Sequence, residues 1–267
     1  MKIQKNKILS TVIIVNYNNE KYLKKCLNSV LEQTNANNEI IFVDDKSTDN
    51  SLKIVKKYKN KITILKNLSK NKSKHGSYNQ INSYYRGFLK SKGKYIFFLD
   101  SDDYFKKNKL KEVINYFEKN LDANVVFDLA ILKNKNKSTK LKFRQKRFIL
   151  SSWPRFTSQS CITVKRSFMV EIFKFLKLRK FELIWFDFRI ACFCYLKEKK
   201  INILPLYLTY YRQLENSASS KFNTFSSNWW IRRNQAHDFV TYLSKKLKLK
   251  DKFTIDKFFT KLITFFK

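Results

Sequence analysis

Asp100, Asp102 and Asp103 follow directly on the apolar run Tyr95 to Leu99, within the stretch KYIFFLDSDD that begins at Lys94. A short run of β-favouring residues is what a strand buried on both faces requires. Unpaired carboxylates cannot continue into such an interior, so the chain must surface at Asp100. Carboxylates gathered at the carboxyl end of a buried strand are hard oxygen ligands of the kind Mg²⁺ or Mn²⁺ takes, often together with substrate phosphates. Asp100 and Asp102 are the candidate metal ligands. The alternative is that Ser101 to Asp103 only ends the strand and caps the next helix, a position that Ser and Asp favour.

Two further strand ends carry polar groups. Thr11 to Val15 is a β-branched run that stops at Asn16 and Tyr17, and Ile40 to Val43 stops at Asp44 and Asp45. Between them, Tyr22, Leu23, Cys26, Leu27, Val30 and Leu31 recur at helical spacing, and a second helix follows Ser47 with Leu52, Ile54, Val55 and Tyr58 inward. Ile62 to Leu65 reads as a third strand. All three glycines, Gly76, Gly87 and Gly93, fall just before the acidic corner, which predicts close backbone approaches there, and Gly93 is placed to end a helix over 78–92. Strands alternating with helices predict an α/β fold with a mainly parallel sheet. Such sheets bind ligands outside the carboxyl ends of their strands, so Asn16–Tyr17, Asp44–Asp45 and Asp100–Asp102 are expected on one rim.

Beyond the acidic corner, Leu110 to Phe117 is helical, and Val125 to Leu132 and Leu141 to Leu150 read as strands joined by a turn over 133–140. Phe168 to Leu178 and Glu182 to Leu196 read as helices. Asp187 stands in the second of these between Phe186 and Phe188, either paired with Arg189 or facing a cleft as an acid or base. Ile201 to Leu206 is a strand leading to Tyr210, Tyr211, Arg212 and a polar loop over 216–220. Residues 221–267 differ in character and are expected as a helical extension to a domain over 1–220. Their last helix sets Phe258, Phe259, Phe265 and Phe266 against Lys257, Lys261 and Lys267. That pattern suits a helix lying in a membrane interface or one packed on the domain.

The 267 residues and 43% apolar content suffice for a sizeable core. A net charge of +35 attracts polyanions, but the lysines are scattered through an Asn-, Ile-, Phe- and Tyr-rich chain and no nucleic-acid motif is evident, so no nucleic acid is expected as a partner. Absence of glycine from residues 1–75 disfavours a nucleotidyltransferase, which needs a glycine-rich phosphate loop near its first strand. The four cysteines lack metal-ligand spacing and read as buried thiols in a reducing compartment. No signal-peptide pattern opens the chain, and Phe181 to Leu196 is too charged to span a bilayer, so a cytoplasmic location is expected, with a peripheral membrane contact as the variant.

In several ordered blocks over residues 10 to about 220, the chain resembles the family 2 glycosyltransferases of GT-A fold, of the kind that build bacterial polysaccharides. TVIIVNYNNEKYLKKCLNSVLEQT is similar to the family's opening strand and helix, EIIFVDDKSTDNS to its nucleotide-binding turn, and GKYIFFLDSDD to its metal block. FDFR and YYRQLENSAS resemble the acceptor-side acid and the closing Tyr-Arg loop. The resemblance implies inverting transfer of a sugar from a nucleoside diphosphate-sugar, a UDP-sugar first, to a hydroxyl of a glycan or lipid-linked saccharide. It implies that Asn16, Tyr17, Ser101 and either Asp44 or Asp45 line the donor site. It further implies that Asp100 and Asp102 hold Mg²⁺ or Mn²⁺ and the sugar-diphosphate, that Asp187 is the general base, and that Arg212 stands near the diphosphate or acceptor. Four positions depart from the family. Lys46 replaces the usual Gly, Tyr84 and Tyr85 stand where Arg and Asn are common, and Leu214 replaces a His. These bear on donor specificity and activity; an inactive, transferase-like binding protein is the rival reading.

Overall fold

β1 (Ser10–Asn16) is flanked on both sides by parallel neighbours, β2 (Asn38–Asp44) and β4 (Tyr95–Asp100), and its register fixes the rim. Asn16 stands opposite Asp44, and Val15 opposite Asp100. The three strand ends expected to converge therefore do so by strand pairing. The structure, a computed structural model, describes residues 8–34, 37–67, 73–134, 137–143, 153–176, 179–214 and 222–266.

The sheet has nine strands, with β3 (Thr63–Lys66) at one edge and the order β3-β2-β1-β4-β8-β6-β9-β5, plus β7 on β6. β1 to β4 run parallel, and β6 (Val125–Lys133) runs parallel to β9 (Asn202–Arg212). β8 (Ile162–Lys165) is antiparallel to both β4 and β6, and β5 (Tyr104–Phe105) is antiparallel to β9. The α/β class and the mainly parallel mixed sheet are as the sequence predicts. The antiparallel members are not. β8 and β5 are too short to announce themselves, and β7 (Ser138–Lys140) lies where a turn is expected. Residues 141–143 are not strand, and 144–150 lie outside the described residues.

Both faces of the sheet are covered. Val12, Ile14, Phe42, Phe97 and Leu99 pack with α1 (Glu20–Leu31), α2 (Ser51–Lys56) and α4 (Lys109–Lys119). Ile13, Val15, Val43, Ile96 and Phe98 pack with α3 (Gly76–Lys90), α5 (Arg166–Leu176), α6 (Phe186–Glu198) and α7 (Ser227–Lys246). Alternate residues of one strand thus enter different cores, which is why these strands read as unbroken apolar runs. Ala236, Phe239, Val240 and Leu243 of α7 belong to the second core, while α8 (Ile255–Phe265) rests on α7. No helix among the described residues is long and apolar enough to cross a membrane.

Two of the glycines mark close approaches. A Cβ on Gly87 would stand 2.4 Å from Ile13 Cγ2, so α3 reaches β1 only without one. A Cβ on Gly93 would stand 2.4 Å from the Ser10 carbonyl carbon. α3 ends at Lys90 with Ser91 as its cap, so Gly93 serves the strand crossing and not the helix end expected of it.

Candidate functional site

Asp100 is the last residue of β4 and is partly exposed. Its Oδ1 accepts from three neutral donors: Gln80 Nε2 at 2.8 Å, Tyr84 OH at 2.9 Å and Gln159 Nε2 at 2.8 Å. All three crowd one oxygen, and among the described residues no donor reaches Oδ2. Asp102, also partly exposed, receives no side-chain donor among the described residues, while Arg212 donates to its backbone carbonyl. Asp103 points inward. Its oxygens accept from Ser160 Oγ at 2.6 Å and from the Arg212 amide at 2.8 Å.

One oxygen from each of Asp100, Asp102 and Asp103 lies within 4.8 Å of the others. Burial, with Asp102 alongside, pushes the Asp100 carboxyl up to about 8, and burial pushes Asp102 up to about 6. Burial and the two neighbouring acids push Asp103 well above the usual carboxylate range. Three mutually repelling carboxyls, two of them partly open, form a donor set that a hard divalent ion satisfies. The residues fit Mg²⁺ or Mn²⁺, with Asp100 and Asp102 outward and Asp103 held by protein donors.

A buried ion pair supports the cluster from behind. Lys109, the first residue of α4, and Asp128 on β6 are both fully buried and 2.7 Å apart. Lys109 Nζ also donates to Thr209 Oγ1 and to the Ser160 carbonyl, each at 2.6 Å. Ser160 Oγ in turn accepts the Asp100 amide at 3.1 Å. The chain Lys109–Ser160–Asp103 thus ties β6 and β9 to the acidic corner.

Along the rim, Asp44 is 1% exposed, and its oxygens accept from Asn16 Nδ2 at 3.1 Å and the Ser47 amide at 3.0 Å. Asn67 donates to Asp45 at 2.7 Å. Both acids stand at the expected strand end, but they spend these contacts inside the turn. Lys46 holds that turn with φ 63, so the left-handed conformation is present although its residue is not glycine. Ser101 is buried and accepts from Asn19 at 2.9 Å, which joins the start of α1 to the end of β4. Tyr17 is 51% exposed beside these residues.

Asp187 is not mid-helix. α6 begins at Phe186, so Asp187 lies in its first turn, where the helix dipole favours a negative charge. It is partly exposed, yet its apolar surroundings push its carboxyl up to about 6. The cation that opposes this shift is Arg232 of α7. Arg189, fully buried, instead donates to the carbonyls of Leu176, Phe181 and Ile184, locking the backbone that leads into α6. The Asp187 charge is felt at Asp100, so the two acids share one electrostatic environment.

Arg212 ends β9 instead of lying in a loop, between the rings of Tyr22 at 4.9 Å and Tyr104 at 4.7 Å. The remainder of the expected closing loop, from 215 to 221, lies outside the described residues. The structure therefore brings Asn16, Asp44, Asp100, Ser101, Asp102 and Arg212 to one corner, with Asp187 within electrostatic reach of Asp100. Gln80, Gln159, Ser160, Lys109, Asp128 and Arg232 were not foreseen. Only Tyr84 carried a signal, as a departure from the family pattern.

Residues 11–184 match the family described as Glycosyl transferase family 2. An uncharacterised glycosyltransferase of Methanocaldococcus jannaschii is 29% identical over 217 residues, which is 78% of this chain and 71% of that one. An uncharacterised glycosyltransferase of Nostoc sp. is 34% identical over 130 residues, 48% of this chain and 38% of the relative. The poly(ribitol-phosphate) β-N-acetylglucosaminyltransferase TarS of Staphylococcus aureus is 34% identical over 111 residues, 40% of this chain and 18% of TarS. The chain thus spans well under half the length of the last two. A crystal structure of S. aureus TarS 1-349 with UDP-GlcNAc has the same fold, with a TM-score of 0.62 at 20% identity over 96% of this chain and 70% of that one. On the match over residues 11–184, which carries the three polar strand ends of the rim and runs into the loop before α6, this chain belongs to the family 2 glycosyltransferases.

Proposed function

We propose that this protein transfers a sugar from a nucleoside diphosphate-sugar, with a UDP-sugar as the first choice, to a hydroxyl of a glycan or lipid-linked saccharide, with inversion at the anomeric carbon. The observation that carries the proposal is the division of acids at the rim. Asp100 and Asp102 form a partly open cluster, while Asp187 stands apart from them at a helix start, partly exposed and within electrostatic reach. Donor activation and proton removal need that separation, because the two tasks act on opposite sides of the anomeric carbon.

In this reading Asp100 and Asp102 hold Mg²⁺ or Mn²⁺, which when bound supplies the positive charge that a departing diphosphate requires. Arg212, braced by two tyrosine rings and by Asp102, adds fixed positive charge on the same side. Tyr17 covers the base from the rim, Asn16 and Ser101 shape the floor, and the Asp44–Asp45 turn forms the wall toward base or ribose. Asp187 takes the proton from the acceptor hydroxyl as that oxygen attacks, a contribution of about 10²–10⁴-fold. The complexes of TarS with UDP and with UDP-GlcNAc support uridine as the nucleotide.

The test is a panel of UDP-, GDP- and dTDP-sugars scored for Mn²⁺-dependent hydrolysis and thermal protection, repeated with Asp102→Ala. A UDP-sugar that protects and is hydrolysed only with the divalent ion, and only when Asp102 is intact, supports the reading. Equal protection by every nucleotide with and without the ion removes it.

A further inference from the structure

We infer that α8 and the lysine-rich segment before it form a docking surface for an anionic lipid bilayer. The first observation is where the phenylalanines are exposed. Every exposed Phe among the described residues lies in the last part of the chain: Phe225, Phe253, Phe258, Phe259, Phe265 and Phe266. Five of the six belong to α8 or its immediate flanks, with exposures from 51% to 83%, and Ile255 and Leu262 are exposed with them. Elsewhere among the described residues the phenylalanines are buried or partly buried. A contiguous apolar face of this size on a protein surface marks an interaction site.

The second observation is how α8 is held. Arg233 of α7 donates to both oxygens of Asp256, at 2.8 and 2.6 Å, and His237 stands 3.3 Å from the same carboxylate. Burial opposes ionisation of Asp256, but His237 beside it and the hydrogen bonds from Arg233 outweigh that and hold the carboxyl below its usual range. Thr254 caps the helix by accepting the Lys257 amide at 3.2 Å. These contacts fix one side of α8 to α7 and leave the phenylalanine side outward.

The third observation selects the partner. Lys257 and Lys261 are tied to Asp251 and Asp238, at 2.6 and 2.9 Å. Lys245, Lys246, Lys248, Lys250 and Lys252, all exposed, form no ion pair among the described residues. Exposed lysines without ion pairs, in the stretch that leads into the exposed aromatic rings, suit an anionic bilayer, where rings enter the headgroup boundary and lysines meet lipid phosphates. A second copy of the chain is the poorer occupant, because it would bring another +35 charge against this one.

The inference is independent of catalysis, and its test uses the whole chain with vesicles and no sugar donor. Wild-type protein is expected to co-sediment with phosphatidylglycerol vesicles, to bind pure phosphatidylcholine vesicles weakly, and to be released by salt. Phe258→Asp with Phe259→Asp should lower partitioning by at least about 100-fold, the loss expected for two rings that no longer enter the lipid. Lys248→Glu, Lys250→Glu and Lys252→Glu together leave the rings in place and should lower binding to the anionic vesicles by at least about 100-fold, but not to phosphatidylcholine. Circular dichroism and melting of both variants keep folding separate from binding. Failure of the wild type to sediment with anionic vesicles overturns the inference. So does binding that both folded variants retain, or a wild-type dimer in light scattering that the phenylalanine variant abolishes, since that gives the face to a second copy.

Discussion

Tyr84 donates its hydroxyl to Asp100 Oδ1 at 2.9 Å while its ring lies flat against Phe186, 4.8 Å between centroids and 10° apart. Phe186 is the residue before Asp187. One fully buried side chain on α3 therefore touches both the acidic end of β4 and the start of α6. At this position the family pattern commonly has an arginine. A phenol keeps the hydrogen bond, adds no charge, and leaves Asp100 among neutral donors.

Tyr84→Phe should retain the stack and delete one of three donors. We expect a stability loss of about 1 kcal/mol, a melting shift of roughly 2–4 °C. Tyr84→Ala removes the ring from between Phe98 and Phe186 and should cost about 3–5 kcal/mol. If melting curves put the two variants at the same midpoint, the ring is not the link described here.

The Asp100 carboxyl, pushed up to about 8 against an ordinary 3.8, makes a prediction for stability without metal. A carboxyl raised in the folded state is bound to its proton more tightly there than in the unfolded chain. Its effect is absent below the unfolded value and destabilises progressively as pH rises through the folded one. Asp100→Asn removes that titration. In chelator-treated protein, Asp100→Asn should gain melting temperature relative to wild type as pH rises from about 5 to about 8. Added Mn²⁺ should stabilise wild type more at the upper end of that range and leave the variant nearly unmoved. A gap that is constant with pH contradicts the placement of this carboxyl.

The parallel half of the sheet was legible because β1, β2 and β4 are buried on both faces, so their apolar runs are continuous and end abruptly in polar residues. That abrupt end also gave away Asp44 and Asp100. β8 was not legible, although it lies inside the sheet, because its four residues offer no period to read and its place depends on pairing with β4 and β6. Asp187 stood out in the sequence, but its position in the helix did not, since aromatic residues fill both sides of the helix start and hide the boundary at Trp185. Glutamines such as Gln80 and Gln159 have no sequence signature for holding a carboxylate.

Lys109 was unreadable for another reason: nothing in one lysine among 56 Lys plus Arg says that it is buried. Lys109→Met leaves Asp128 fully buried without its cation and should destabilise by about 3–5 kcal/mol. Lys109→Met with Asp128→Leu removes both charges and should recover part of that loss, though not all, because Thr209 and the Ser160 carbonyl lose Lys109 as well. Denaturant unfolding of the single and double variants measures the difference. A double variant less stable than the single one contradicts the pairing.

Lys46 carries the turn after Asp44–Asp45 in the left-handed region, at φ 63, with its side chain exposed. A non-glycine residue there costs about 1 kcal/mol, which glycine avoids. Lys46→Gly should raise the melting midpoint by roughly 2–4 °C while leaving the hydrogen bonds of Asp44 intact. A lower midpoint would mean that the lysine side chain contributes more than its backbone conformation costs.

Asp187 supplies the prediction closest to chemistry. Burial holds its carboxyl near about 6, and a base acts only when deprotonated. The sign follows directly: below that value the group carries a proton and cannot accept another. With Mn²⁺ at a level that keeps Asp100 and Asp102 ionised across the range, turnover of the donor found by the sugar-nucleotide panel should rise tenfold per pH unit at acid pH and level off above about 6. Asp187→Asn should lower kcat by about 10²–10⁴-fold, abolish that acid limb, and leave donor-dependent thermal protection in place. Arg232→Met removes the cation that opposes the shift at Asp187, so the midpoint of the limb should move to higher pH. A limb that stays fixed in Arg232→Met, or survives in Asp187→Asn, assigns the titration to another group and removes Asp187 as the base.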